Sequence, residues 1–245
     1  MTLEQINQEI TSRPPLDFAQ IFSRSVSLFQ NVWLQGFITL VLTVLTILPF
    51  YIIFYTPMIA AGITDPEMLK SEEPPILMLV GMAILFPVLL IGILTFSLAL
   101  NAAFLKICRA KDLNLLGADD YFYFFKQGRL GKVFNLALIM LGLSLVGVLT
   151  CGLGLFYLVV PMSLFPAFLA FNEELSAMNM VKASFTLGNK NWLVIFGLLI
   201  VLGIIAELGI LLCFVGVLFT AMLSKVPMYY IYKDGVGFEH GATIP

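Results

Sequence analysis

Residues 133–172 read VFNLALIMLGLSLVGVLTCGLGLFYLVVPMSLFPAFLAFN, without one charged side chain. One membrane-spanning helix needs about 20 consecutive apolar residues, so this stretch holds two. At its middle, Cys151-Gly152-Leu153-Gly154 puts two glycines where a tight backbone reversal would fall. The reading is a transmembrane hairpin: a helix over 133–150, a turn, and a second helix over 155–171.

The same reading extends outward. Residues 25–64 and 74–105 also lack charge, and 191–224 carries only Glu207. The 245-residue chain is 60% hydrophobic and 11% charged, with a mean hydropathy of +1.00. A soluble domain has about 45–50% apolar and about 25% charged residues. This composition excludes a soluble globular protein, a disordered chain and a nucleic-acid binder. It predicts an all-α polytopic membrane protein with six transmembrane helices, over 37–57, 76–103, 133–150, 155–171, 191–212 and 216–232. Residues 1–15 read as an N-terminal cytoplasmic tail, 16–235 as one membrane domain and 236–245 as a C-terminal cytoplasmic tail. No apolar core follows a basic start, so the first span serves as targeting signal instead of a cleaved peptide.

Orientation follows from Lys and Arg in the loops. Of thirteen such residues, twelve fall on one side of the six-span scheme, and only Lys70 falls on the other, beside Asp65, Glu67, Glu72 and Glu73. That asymmetry puts both termini in the cytoplasm. Each cytoplasmic segment also carries an amphipathic stretch before the next span. Phe18, Ile21, Phe22, Phe29 and Val32 mark the first. Asp119 would cap a second helix presenting Tyr121, Phe122, Phe124 and Phe125. Ser176 would cap a third, ending at Gly188 as its C′ residue. These stretches are either separate interfacial helices or the buried ends of long ones.

Parts of the chain recur. Ser25-Val-Ser-Leu28 precedes Trp33-Leu34, and Ser184-Phe-Thr-Leu187 precedes Trp192-Leu193 at the same spacing. Trp33 and Trp192 are the only tryptophans, and both are expected as anchors at the membrane–water interface. Cys151-x-x-Gly154 before Pro166 is matched by Cys213-x-x-Gly216 before Pro227. Three parallel repeats of an amphipathic helix plus a hairpin follow, over about 16–110, 113–172 and 173–235.

The run from Lys182 to Trp192, which closes on Gly188-Asn189-Lys190-Asn191-Trp192, resembles that of YciC-like bacterial inner-membrane proteins. It is also similar to the membrane region of some glycerophosphodiester phosphodiesterases. The resemblance covers roughly residues 16–235. It implies a six-helix protein of the bacterial inner membrane, and it carries no enzyme activity across.

Candidate chemistry is sparse. His240, the one histidine, lies in the tail, and no Cys-x-x-Cys, phosphate loop or nucleophile elbow occurs. No catalytic residue, metal ligand or cofactor is therefore expected. Ionisable groups within spans are functional candidates by default. Glu207 is either a proton or cation site or a carboxylate reaching outer water. Lys225 either snorkels to lipid phosphate or partners Glu207. Asn101 and Ser163 are polar candidates that more often bond to neighbouring helices. Gly92, Thr95, Ala99 and Ala103 read as a helix-packing stripe, and Pro161 with Pro166 points to a kink or cavity in the fourth span. Cys151 and Cys213 are either a disulfide or two packed thiols. Arg24, Lys106, Arg109, Lys126, Arg129 and Lys132, set among aromatics, are candidate contacts for anionic lipid headgroups. The sequence thus favours a non-enzymatic scaffold or accessory subunit that contacts membrane lipids or a membrane protein partner. A small-solute or ion transporter using Glu207 and Lys225 is the alternative, and an intramembrane enzyme the third.

Overall fold

A computed structural model describes residues 1–60, 76–115, 117, 119–126, 128–211 and 215–238. The chain is all-helical, 84% helix, with no strand among the described residues. The α-helices are α1 (Leu3–Ser12), α2 (Phe18–Ala60), α3 (Ile76–Asp112), α4 (Leu130–Leu149), α5 (Leu153–Ser163), α6 (Phe165–Phe171), α7 (Ala177–Lys190), α8 (Trp192–Glu207), α9 (Val215–Thr220) and α10 (Pro227–Gly235). Short 3-10 turns occupy Tyr123–Phe125, Leu208–Leu211 and Ala221–Ser224. The acidic loop around Lys70, together with Cys213 and His240, lies outside the described residues.

Four helical runs are long and apolar enough to cross a membrane: α2, α3, α4, and α5 with α6 together. A fifth is formed if α7 and α8, bent by 91° at their junction, count as one. The stretch expected as a sixth helix is not continuous. It breaks into α9, a 3-10 turn and α10, with Lys225 and Val226 at the break. Pro227 is one cause, because it brings no N–H to continue the preceding turn.

The three amphipathic stretches take three different forms. The first is no separate helix: α2 runs unbroken for 43 residues, about 64 Å at ~1.5 Å per residue, so residues 18–32 are the buried end of a long helix. The second is not a helix capped by Asp119. That carboxylate accepts from Gln35 Nε2 at 3.1 Å, and the aromatics form only the 3-10 turn. The third is a true helix, α7, with Ser176 as N-cap accepting from Asn179 N at 3.3 Å. Its end is not Gly188. The helix runs on to Lys190, and Gly188 instead lets Pro161 approach: a Cβ there would sit 3.2 Å from Pro161 Cα. The two Ser…Trp segments therefore differ in path. Ser25 and Ser184 are both fully buried, but the first segment is straight and the second turns through 91° at Asn191.

Within residues 1–15, α1 is a folded helix. Thr2 and Gln5 form a capping box at its start. Ile6 and Ile10 are buried in the core, and Lys190 Nζ meets the last carbonyls, Ile10 O and Arg13 O, at 2.5 Å each.

Irregular backbone in a membrane must find its partners within the protein. The turn between α4 and α5 does so tightly. Cys151 and Gly152 take positive φ of 54° and 79°, and Thr150 Oγ1 accepts from Gly154 N at 2.9 Å. Pro161 removes the donor that Tyr157 O would have received from within α5. Trp192 Nε1 supplies it instead, at 3.2 Å. Trp192 is thus a strut between helices as well as an interfacial ring, whereas Trp33 stays 44% exposed and packs on Phe219. The stripe of small residues is a packing face as read. Thr95, Ala99 and Ala103 are buried, and Phe50 closes over Gly92.

Trp192→Phe should lower thermal stability in detergent by about 1–2 kcal/mol, the cost of an unsatisfied carbonyl. Pro161→Ala restores the missing N–H, so Trp192→Phe should cost measurably less in that background. Equal cost in both backgrounds would show that the bond does not compensate the proline.

Candidate functional site

Two features organise the polar residues: a charged end, and a chamber beneath it. At the charged end, α1, the start of α2, the end of α3, the 119–132 segment, the α6–α7 connection and α10 converge. Among the described residues, four ion pairs there join segments distant in sequence, and Arg13–Glu9, Lys111–Asp119 and Lys126–Asp120 are local. Arg24 pairs with Asp234 and lies 4.5 Å from the Tyr230 ring centre. Lys106 Nζ meets Glu173 Oε1 at 2.6 Å, and Arg129 Nε lies 3.4 Å from Oε2 of the same carboxylate. Lys132 donates to the Glu173 carbonyl. Lys106 and Arg129 flank the Tyr123 ring at 3.4 and 4.2 Å. Burial and then the Glu173 carboxylate push the Tyr123 hydroxyl up to about 12. Arg109 stacks 4.3 Å from the Phe238 ring centre, and Lys126 pairs with Asp120 at 3.0 Å.

All six basic residues expected to meet lipid headgroups are thus engaged within the protein. Their charges tie segments together first. Any lipid contact uses what remains of their exposure.

The sequence reading missed a second carboxylate centre. Asp112 accepts from Tyr229 Oη and Tyr230 Oη at 2.7 Å each and from Lys233 Nζ at 2.5 Å. Beside it, Tyr232 Oη donates to Asn172 Oδ1 at 2.6 Å in the buried interior. Phe168, Phe171, Tyr229, Tyr232 and Phe238 pack ring on ring around it. The i, i+1, i+4 pattern Tyr229-Tyr230…Lys233 was a visible signal. Its partner, 117 residues away, was not.

The chamber lies between α3, α4, α5–α6, α8 and the break before α10. Its volume is about 440 Å³. Leu94, Leu155, Val159 and Leu199 form apolar walls, and Asn101, Ser163, Ser224 and Lys225 bring polar groups to it. Three of the four candidate intramembrane residues therefore meet in one cavity. The fourth does not: Glu207 ends α8 outside the chamber, and both it and Lys225 are exposed to the surroundings of the bundle. No ion pair joins Glu207 to Lys225 among the described residues, and no carboxylate lines the chamber.

Of the kink or cavity expected from Pro161 and Pro166, a cavity is present. The helix is interrupted at Leu164, and Met162, Ser163 and Pro166 line the cavity beside the break. Asn101 Nδ2 donates to Ser97 O at 2.8 Å, Ser163 Oγ to Val160 O at 2.7 Å, and Ser224 Oγ to Ala221 O at 2.9 Å. Each is anchored on its own helix, and Ser163 makes no hydrogen bond to a base. Among the described residues no His/Cys/Asp/Glu group is arranged to hold a metal. Cys108 is buried and Cys151 lies exposed at the α4–α5 turn.

No protein-family model, curated protein or solved structure matches this chain.

Asp112→Asn should destabilise the protein by about 1–3 kcal/mol, because Lys233 loses its counter-ion and two tyrosines lose a charged acceptor. In a double-mutant cycle with Lys233→Met, the two losses should couple. Strict additivity of their unfolding temperatures would mean that the pair contributes nothing.

Proposed function

We propose that the protein is a non-enzymatic, lipid-contacting membrane protein, and that its working part is the chamber around Asn101, Ser163 and Lys225. The carrying observation is that an apolar cavity within the helical bundle holds one basic residue and no acid of its own among the described residues. A charge at membrane depth is expensive unless paired. A membrane-dissolved molecule of opposite charge would supply the pair. The role is that of a scaffold or accessory subunit holding lipid, alone or for a membrane partner.

The finer topology belongs to the same proposal. Six spans follow if the bent α7–α8 pair is the fifth and the broken 215–235 segment the sixth. The gathering of basic segments at one end supports both termini lying in the cytoplasm. The three-repeat scheme draws support from Ser25 and Ser184 being buried alike. The resemblance to YciC-like proteins supports the bacterial inner membrane. A transporter built on Glu207 and Lys225 finds less support, since the two do not share the chamber.

The test is extraction into polymer nanodiscs with mass spectrometry of retained lipids and proteins. The native protein should retain acidic lipid above its bulk share. Leu199→Trp, which fills the chamber, should abolish that enrichment, and Glu207→Gln should leave it unchanged. A retained-lipid profile identical for native protein, Leu199→Trp and bulk membrane would overturn the proposal.

A further inference from the structure

We propose that the chamber is a site for a single-chain fatty acid, its carboxylate on the Lys225 ammonium and its chain between Leu94, Leu155 and Leu199. The inference rests on the lipid-contacting reading above and names the ligand class of the same cavity.

The polarity of the cavity is ordered. Along α3, Asn101 lies five residues before Lys106, which is already tied to Glu173 at the charged end. Lys225 lies four residues before Tyr229, which reaches Asp112 there. The polar groups therefore sit about one to two turns beneath the charged end. From Asn101 the wall continues to Leu94, away from that end. The lining on α3 runs from Asn101 back to Leu94, about 10 Å, on the order of the reach of the first eight or so carbons of a chain. A cavity whose ammonium and amide lie toward the charged end, flanked by Leu105 and Met228, with apolar wall continuing to Leu94, matches an amphiphile lying parallel to the lipids.

The head is set by charge and donor geometry. One ammonium balances one negative charge, and no carboxylate among the lining residues competes for it. No arginine lines the cavity, so the planar fork that grips phosphate is missing from these walls. A carboxylate needs less. It can accept from Lys225 and from the second amide hydrogen of Asn101, since the Asn101 bond to Ser97 O uses only one. Ser163 and Ser224 already donate to carbonyls, so their lone pairs face outward, suited to the remaining ammonium protons. The volume of about 440 Å³ lies within the small-molecule range of about 300–1,000 Å³ and suits one chain better than two.

The test is photocrosslinking of purified protein in nanodiscs with a diazirine-bearing fatty acid, followed by peptide mapping. Labels should fall on the chamber walls near Leu94 and Leu199. Dodecanoate should compete, whereas dodecanol and lysophosphatidylglycerol should compete at least tenfold less well. Lys225→Met should cut chamber labelling at least tenfold, and Lys225→Arg, which keeps the charge, should retain most of it. Leu199→Trp should block labelling with Lys225 intact, which separates loss of the site from misfolding of the lysine variant.

Dodecanol competing as well as dodecanoate would overturn the assignment, as would full labelling of Lys225→Met. Preferred competition by lysophosphatidylglycerol would overturn the carboxylate in favour of a phosphate head. In any of these cases a chamber-dependent lipid enrichment in the nanodisc experiment would leave the broader lipid-contacting reading standing.

Discussion

Tyr157 O, deprived of its helical donor by Pro161, receives the indole N–H of Trp192, and much of the bundle hangs on how such broken backbone is satisfied. In a membrane no water stands ready to solvate a freed carbonyl. The chain contains prolines within α2, α3 and α5 and near the starts of α6 and α10. At two places the protein supplies a substitute partner from another segment. Trp192 does this for α5, and Thr220 Oγ1 does it for α8 by donating to Ala206 O at 2.6 Å. These contacts tie α8 to α5 and α9 to the end of α8. Both α5 and α8 line the chamber.

The charged end lies about one to two helical turns beyond the polar residues of that space. Two of its acids each hold several segments through long-range contacts. Glu173 gathers Lys106, Arg129 and Lys132, and Asp112 gathers Tyr229, Tyr230 and Lys233. Half-exposed ion pairs contribute little individually. Here they work with buried rings such as Phe124, Phe168 and Tyr232, each almost inaccessible to solvent. The result is a cross-linked end of mixed chemistry next to an apolar cavity. On the far side, α2 and α3 present large exposed apolar residues from Val44 to Ile59 and from Ile76 to Val88, a surface suited to acyl chains. Function is read at the boundary between that end and the cavity, where Lys225 stands at a break in the helix.

Much of this was legible in the sequence, because uncharged runs, helix caps and prolines are local signals. The hairpin turn at Cys151-Gly152, the N-cap at Ser176 and the interruption near Pro161 and Pro166 all follow from nearest neighbours. What escaped depends on pairs far apart in the chain. Asp112 has no local mark that distinguishes it from any surface acid, and its role appears only when α10 folds beside α3. Gly188 looked like a helix end because glycine often is one. Its purpose here is room for Pro161, a residue 27 positions earlier. The candidate site was legible as residue types without grouping: Asn101, Ser163 and Lys225 were named singly, and only the fold separates them from Glu207.

The proposed function requires that Ser163 and Lys225 face a cavity reached from the membrane and shielded from water. Ser163→Cys, in a protein with Cys151 and Cys213 replaced by serine, tests it directly in native membranes. A lipid-soluble pyrene maleimide should label that cysteine, while a charged, water-soluble maleimide should fail from either side. A cysteine inert to both reagents would show dry packing where the chamber is placed. Labelling by the water-soluble reagent would show an aqueous channel and contradict the account.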